Sequence, residues 1–280
     1  MTHNHKMKIV KQSGLVVPFN RNKLRASLLR SGASIEAASD ILASIEKNIY
    51  DGMTTRKIYK LAYALLKKVP GSVAARYNLR TAIQQLGPAG FFFEKFIARI
   101  FESDGYKTMS NVTLKGKCVS HEVDVVIEKN NKTTLVECKF HSRRESVSDV
   151  KVPMYIFSRF NDLKAQPNNI FRPHNILSNC LIVTNNRFTD DAHTFSRCSS
   201  LQLLSWDYPE KQGLRDLIDT GKHYPTTCLT TLTAFEKEQL LILDLLMASD
   251  LKTQADQLVK IGLSPNRIKN ILFEVTELCK

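Results

Sequence analysis

The segment His121-Glu122-Val123-Asp124-Val125-Val126-Ile127 decides how the chain is built, together with Leu135-Val136-Glu137-Cys138-Lys139-Phe140. Between them lies a turn, Lys129-Asn130-Asn131-Lys132. Both runs are apolar and β-branched, which predicts the two strands of a hairpin. Side chains alternate along a strand, so Glu137 and Lys139 share one face while Val136, Cys138 and Phe140 take the other. The hairpin then brings Asp124 beside Glu137. Surface salt bridges are the ordinary reading of three charges on one strand face. Strands this apolar, however, are expected to be covered on both sides. Carboxylates there are costly without a compensating cation. Two of them at a strand pair form an oxygen-rich site suited to Mg2+ or Mn2+. The lysine is placed to orient an attacking water or to neutralise charge on a phosphate.

Upstream, Phe91–Glu102 has helical periodicity, with Phe92, Phe96, Ile97, Ile100 and Phe101 on its apolar face, and carries Glu94. A strand at Tyr106–Leu114 precedes the hairpin. Downstream the pattern predicts a helix around Val147–Leu163, a Pro/Asn-rich loop at Gln166–Asn175 and a strand at Asn179–Thr184. A helix at Asp190–Cys198 and a strand at Leu201–Trp206 complete it. This alternation argues for an α/β core with a mixed sheet. His141-Ser142-Arg143-Arg144, with Lys151 and Arg159 on the next helix, either contacts phosphates or forms a solvated face. His121 is a general base or, by the plainer reading, a polar residue on an edge strand. Trp206, the single tryptophan, is expected to close the core rather than stack on a base.

Asp124, the 12 residues that follow it, and Glu137-Cys138-Lys139 resemble the PD-(D/E)xK nuclease motif. The helix carrying Glu94 sits upstream as the first helix does in Mrr-like type IV restriction endonucleases. The resemblance covers about residues 90–210 and departs at Val123, where a proline is usual. It implies that Asp124 and Glu137 bind the divalent metal and that Lys139 positions the nucleophilic water. Glu94 is then a further catalytic carboxylate or an ordinary surface residue of its helix.

At the N-terminus, Lys8–Phe19 predicts a hairpin about Ser13-Gly14. Asn20 caps a helix over Arg21–Arg30, Ser34 a second and Thr54 or Thr55 a third, and Ser72 opens a fourth through Gln85. Lys11, the glycine turn and the helix start at Asn20–Lys23 gather the features of an anion site. No Walker A signature occurs. The Val10-Lys11-Gln12-Ser13-Gly14 stretch with Phe19 and Lys23, the Tyr50–Thr55 segment with Ile58-Tyr59, and Ala74-Ala75-Arg76-Tyr77 resemble the ATP-cone. That family binds adenine nucleotides as a regulatory module. The resemblance implies Lys11, Asn20, Lys23 and Thr55 near the phosphates and ribose of ATP or dATP, with Tyr59 near the base or sugar. The usual Lys-Arg-Asp-Gly reads Lys11-Gln12-Ser13-Gly14 here.

The 280 residues carry 40 Lys+Arg against 27 Asp+Glu, a net +13. Residues 1–90 hold 15 basic and 4 acidic side chains, and residues 226–280 hold 6 and 7. The excess therefore lies on the nucleotide-sensor module, and 15 cations exceed what one triphosphate requires. That module is expected to touch DNA or a partner chain as well. The longest apolar run, Leu240–Met247, is far shorter than a membrane span of about 18 residues. Six scattered cysteines without a C-x-x-C pair suggest reduced thiols and a cytoplasmic protein. His3-Asn4-His5 spells a nuclease-like HNH without its ββα context and is expected to be a flexible terminus.

The expected class is α/β and multi-domain. A hairpin-plus-four-helix ATP-cone (1–88) precedes a restriction-endonuclease-like core (89–225) and a C-terminal helical module (226–280). The last has helices over 233–248, 251–261 and 264–279, and either caps the nuclease domain or meets a partner. The implied function is a Mg2+-dependent endonuclease acting on double-stranded DNA, regulated by adenine nucleotide and assembled as a homo-oligomer. The alternative is a nucleotide-responsive DNA-binding regulator that no longer cuts.

Overall fold

The computed structural model describes residues 7–87 and 90–280. The His3-Asn4-His5 stretch and the expected boundary at 88/89 lie outside them. The chain opens with an antiparallel hairpin of β1 (Lys8–Val10) and β2 (Val16–Pro18). Gly14 supplies the left-handed backbone of its turn, at φ +83°. A short strand β3 (Met53–Thr54) adds to β1 in parallel. Helices α1 (Arg21–Arg30), α2 (Ile35–Asn48) and α3 (Thr55–Leu66) begin at Asn20, Ser34 and Thr54. Each of those side chains accepts a backbone N–H of the first turn.

The expected fourth helix is broken into α4 (Val73–Tyr77) and α5 (Leu79–Gln84). Neither Ser72 nor Asn78 caps with its side chain. The Ser72 hydroxyl donates instead to the Glu277 carbonyl at 3.0 Å, and the Asn78 side-chain Oδ1 accepts the Tyr59 hydroxyl at 2.7 Å. Tertiary hydrogen bonds have displaced the local ones.

Helix α6 (Phe91–Ser103) follows Gly90, whose φ of +85° sets the entry angle. The central sheet has the order β10-β8-β6-β5-β4. Its strands are β4 (Lys107–Lys115), β5 (Ser120–Lys129), β6 (Lys132–Lys139), β8 (Leu177–Thr184) and β10 (Gln202–Leu204). Strands β4, β5 and β6 form an antiparallel meander, while β6–β8 and β8–β10 are parallel. A two-stranded parallel pair, β7 (Val147–Ser148) with β9 (Arg187–Phe188), stands apart from the sheet. The helix expected from Val147 therefore starts later, as α7 (Lys151–Lys164), because its first residues are drawn into β7. Helix α8 (Asp190–Cys198) matches expectation, and α9 (Leu214–Gly221) was not foreseen.

Each face of the sheet is covered. Leu135, Cys180 and Ile182 pack with Ile156, Phe160 and Leu163 of α7. Val125, Val136 and Val183 pack with Phe93, Phe96 and Ile97 of α6. The C-terminal helices join this second core: α10 (Ala234–Ile242), α11 (Asp250–Thr253), α12 (Asp256–Lys260) and α13 (Pro265–Leu278). They form a cap, as one of the two readings held, although the expected second helix is split into α11 and α12. Leu79 and Ile83 of α5 and Leu86 just after it enter the same core, as does Trp206. Among the described residues no helix is long and apolar enough to cross a membrane.

Glu274 of α13 ties the last helix to the segment that leads into the cap. Its buried carboxylate accepts the N–H groups of Thr230 (2.7 Å) and Thr231 (2.9 Å) and the Thr231 hydroxyl (2.7 Å). Glu274→Ala leaves these donors without a partner and is expected to cost about 3 kcal/mol in urea unfolding. Loss below about 0.5 kcal/mol would show that the tie is dispensable.

Candidate functional site

Two asparagines make the hairpin that carries the motif. Asn130 and Asn131 both lie in the left-handed region (φ 52° and 59°), as a two-residue type I′ turn requires. The turn sets the register: Val126 pairs with Leu135 and Val125 with Val136, the last pair of the ladder, and Asp124 and Glu137 come next on their strands. The Asp124 carboxylate reaches across and accepts the Cys138 N–H at 2.7 Å. On the far side of β6, Glu137 is matched with Ile182 of β8.

Glu137 is 2% exposed, so its charge must be met by protein groups. Lys139 Nζ donates to it at 2.7 Å, across one strand repeat. Arg159 of α7 donates to both carboxylate oxygens, at 3.1 and 3.0 Å, and also to the Glu122 carbonyl. Arg159 is thus a partner of the motif glutamate, not a phosphate contact on a solvated face. The residue was visible in the sequence, but its partner was not.

The cluster remains over-supplied with negative charge. Burial, followed by the Glu137 charge, pushes the Asp124 carboxyl up to about 6. Burial, then the charges of Asp124, Glu137 and Glu122, push Glu94 up to about 7. Glu94 is partly buried on α6 and feels those charges. Among the described residues no three His, Cys, Asp or Glu side chains are near enough to form a protein-only metal cage. The set available is two carboxylates, with Glu94 behind them. That set fits Mg2+, which takes one or two carboxylates and keeps water or phosphate oxygens in its remaining positions.

The basic loop after Lys139 is held from beneath. Asn185 accepts the His141 N–H and donates to its carbonyl, both at 2.8 Å. Asn186 donates to the carbonyls of Arg143 (2.6 Å) and Ser146 (2.9 Å). Two adjacent asparagines after a buried strand were the signal for this support. Arg144 turns toward the N-terminal domain, donating to Gln84 at 3.0 Å and to Thr81, with its guanidinium 5.4 Å from the Tyr59 ring. Lys151 is exposed at the start of α7. His121 pairs with Asp162 at 2.8 Å, and Asp162 also accepts the N–H groups of Cys118 and Val119. The histidine secures the β4–β5 turn; its strand is interior, between β4 and β6, not the edge strand expected.

In the N-terminal domain, Lys11, Asn20, Lys23 and Thr55 line one hollow of about 740 Å³, floored by Ile9 and Ile58. Tyr59 does not line it. Its ring stacks between Tyr63 and Tyr77 (6.2 and 5.0 Å), and it faces a neighbouring hollow shared with Thr81, Gln84 and Arg144. Thr55 borders both hollows.

Removing Arg159 tests the electrostatic account. Arg159→Ala leaves Glu137 buried with Lys139 alone and is expected to cost about 2–4 kcal/mol in metal-free urea unfolding. An unchanged midpoint would show that the pair is not what compensates the glutamate.

Residues 7–85 match the ATP cone domain, residues 88–157 a restriction endonuclease domain of Mrr type, and residues 224–279 the AF1548-like C-terminal family. An uncharacterised protein of Archaeoglobus fulgidus is 30% identical over 186 residues, covering 65% of this chain and 99% of that one. The crystal structure of the protein of unknown function AF1548 superimposes with TM-score 0.55 at 29% identity. It spans 68% of this chain and 97% of that one. Can2 of Sulfobacillus thermosulfidooxidans, solved with cyclic tetra-adenylate, gives TM-score 0.35 at 17% identity. That match covers 71% of this chain and 52% of that one, a level at which no common fold is inferred. The chain belongs to the AF1548-like family, with an ATP-cone at its N-terminus followed by a restriction endonuclease domain.

Proposed function

We propose that the chain is a Mg2+- or Mn2+-dependent endonuclease acting on double-stranded DNA, controlled by ATP or dATP in the cone and serving restriction of foreign or modified DNA. The observation that carries this reading is the β5–β6 register. It brings Asp124 and Glu137 just past the last pair of the ladder, with Lys139 bonded to that glutamate and Glu94 raised by burial and then by the two carboxylates. The proposal extends to a homo-oligomer and to division of the chain at 88 and 225.

Asp124 and Glu137 would hold the metal. When bound, it supplies Lewis-acid charge to the scissile phosphate and a more acidic water. Lys139 Nζ, bonded to Glu137, would orient that water and steady charge forming on the phosphate. Arg159 keeps the glutamate oriented while the lysine moves. Control by nucleotide is supported by Arg144, which lies five residues beyond Lys139 and is anchored on α5 of the cone.

One observation favours the alternative, a silent nucleotide-responsive DNA-binding regulator: Arg159 covers both oxygens of Glu137. Plasmid nicking with Mg2+ or Mn2+, with and without ATP, separates the two readings. Asp124→Asn and Lys139→Ala are each expected to lower metal-dependent nicking by ~100-fold or more with unchanged circular dichroism. Full activity in either variant, or none in the wild type with both metals, overturns the nuclease reading. For the cone, ATP and dATP titrated calorimetrically should bind, and Lys11→Ala should weaken both about tenfold. No heat at millimolar nucleotide removes the regulatory part.

A further inference from the structure

Where the cone meets the endonuclease domain, a cavity of about 230 Å³ is lined by Arg30, Arg76, Arg80, Arg144 and Arg215, against one lining carboxylate, Asp219. The acid does little to offset them. The Asp219 carboxylate accepts the Tyr224 hydroxyl at 3.0 Å, and burial pushes its pKa up. Arg215 is occupied by Asp216, at 3.2 and 2.8 Å. Arg144 is bonded to the neutral side chains of Gln84 and Thr81. Among the described residues neither Arg30 nor Arg80 has a carboxylate partner. The Nε atoms of Arg76 and Arg80 are buried with no acceptor at all. Burial, then the charges of Arg144 and Arg187, hold the Arg80 guanidinium down to about 10. The Trp206 ring, 5.6 Å from that guanidinium, closes one wall.

Planar cations converging from two domains, two of them without a carboxylate partner among the described residues, are what a phosphate group satisfies. We propose that this cavity binds a short phosphate chain, a di- or triphosphate group, and so clamps the cone to the endonuclease domain. Its volume lies below the ~300–1,000 Å³ of ordinary ligand pockets, which fits a phosphate chain without a nucleoside inside. No residue lines both this cavity and the Lys11–Lys23–Thr55 hollow, so the two sites are separate. The inference does not rest on DNA cleavage.

The test is calorimetric titration of the full chain in EDTA, with pyrophosphate, tripolyphosphate and ATP as separate arms. Pyrophosphate or tripolyphosphate is expected to bind one per chain. Arg80→Gln and the double variant Arg30→Gln/Arg80→Gln should weaken it tenfold or more, while Lys11→Ala leaves it unchanged. If ATP fills the site through its tail, a second equivalent of ATP disappears in the same variants. Arg30 is exposed, so Arg30→Gln alone keeps the test sound should Arg80→Gln lower the unfolding midpoint. No binding at millimolar concentration overturns the proposal, as does binding unaffected by either arginine or lost in Lys11→Ala. Displacement of pyrophosphate by a short DNA duplex, with equal loss of duplex binding in Arg80→Gln, would make the surface a DNA contact and also overturn it.

Discussion

A carboxylate with 2% exposure in the middle of a sheet constrains everything around it. Glu137 cannot sit in β6 as an anion unless cations reach it, and among the described residues Lys139 and Arg159 do. Arg159 must come from α7, so the helix has to lie across the sheet at that height. Its apolar residues Ile156, Phe160 and Leu163 hold it there. Asp124 is drawn in by the Cys138 N–H, which locks the register of the hairpin. The result is a rigid frame with surplus negative charge at its open end, where a hard divalent cation and a phosphate would be complementary partners.

A second constraint is shared burial. The last cone helix gives Leu79 and Ile83, and the residue Leu86 after it, to the core that α6 and the C-terminal helices also fill. Thr227 donates to the Ala82 carbonyl, and Ser72 donates to the Glu277 carbonyl. The three family segments therefore pack as one body rather than as beads on linkers. The Arg144 loop runs along that junction, close in sequence to Lys139 and close in space to Thr81 and Tyr59. A change of ligand at the junction has a short covalent path to the motif lysine.

Much of the framework was legible in the residues. The Asn130-Asn131 turn, the caps at Asn20 and Ser34, and the alternation of Val136 and Glu137 are local signals, set by backbone sterics and side-chain period. The errors came where distant groups outbid local ones. Asn78 is engaged by Tyr59, so a continuous fourth helix breaks. Val147 pairs with Arg187, so α7 starts late. Tyr59 stacks with Tyr77 and stays out of the hollow assigned to it by resemblance. The excess charge of the first 90 residues is partly explained: Arg30, Arg76 and Arg80 line a junction with the endonuclease domain, a surface the sequence alone could not disclose.

By itself the sequence determined the hairpin that carries Asp124, Glu137 and Lys139, because strand period and a two-asparagine turn act within about 20 residues. It determined the cone's hairpin and caps for the same reason. Only the tertiary structure decided what compensates Glu137, which way Arg144 points and that five arginines surround one cavity. Those arrangements join residues from helices and loops far apart in the chain, and their energetics depend on burial and on charges that meet only after folding.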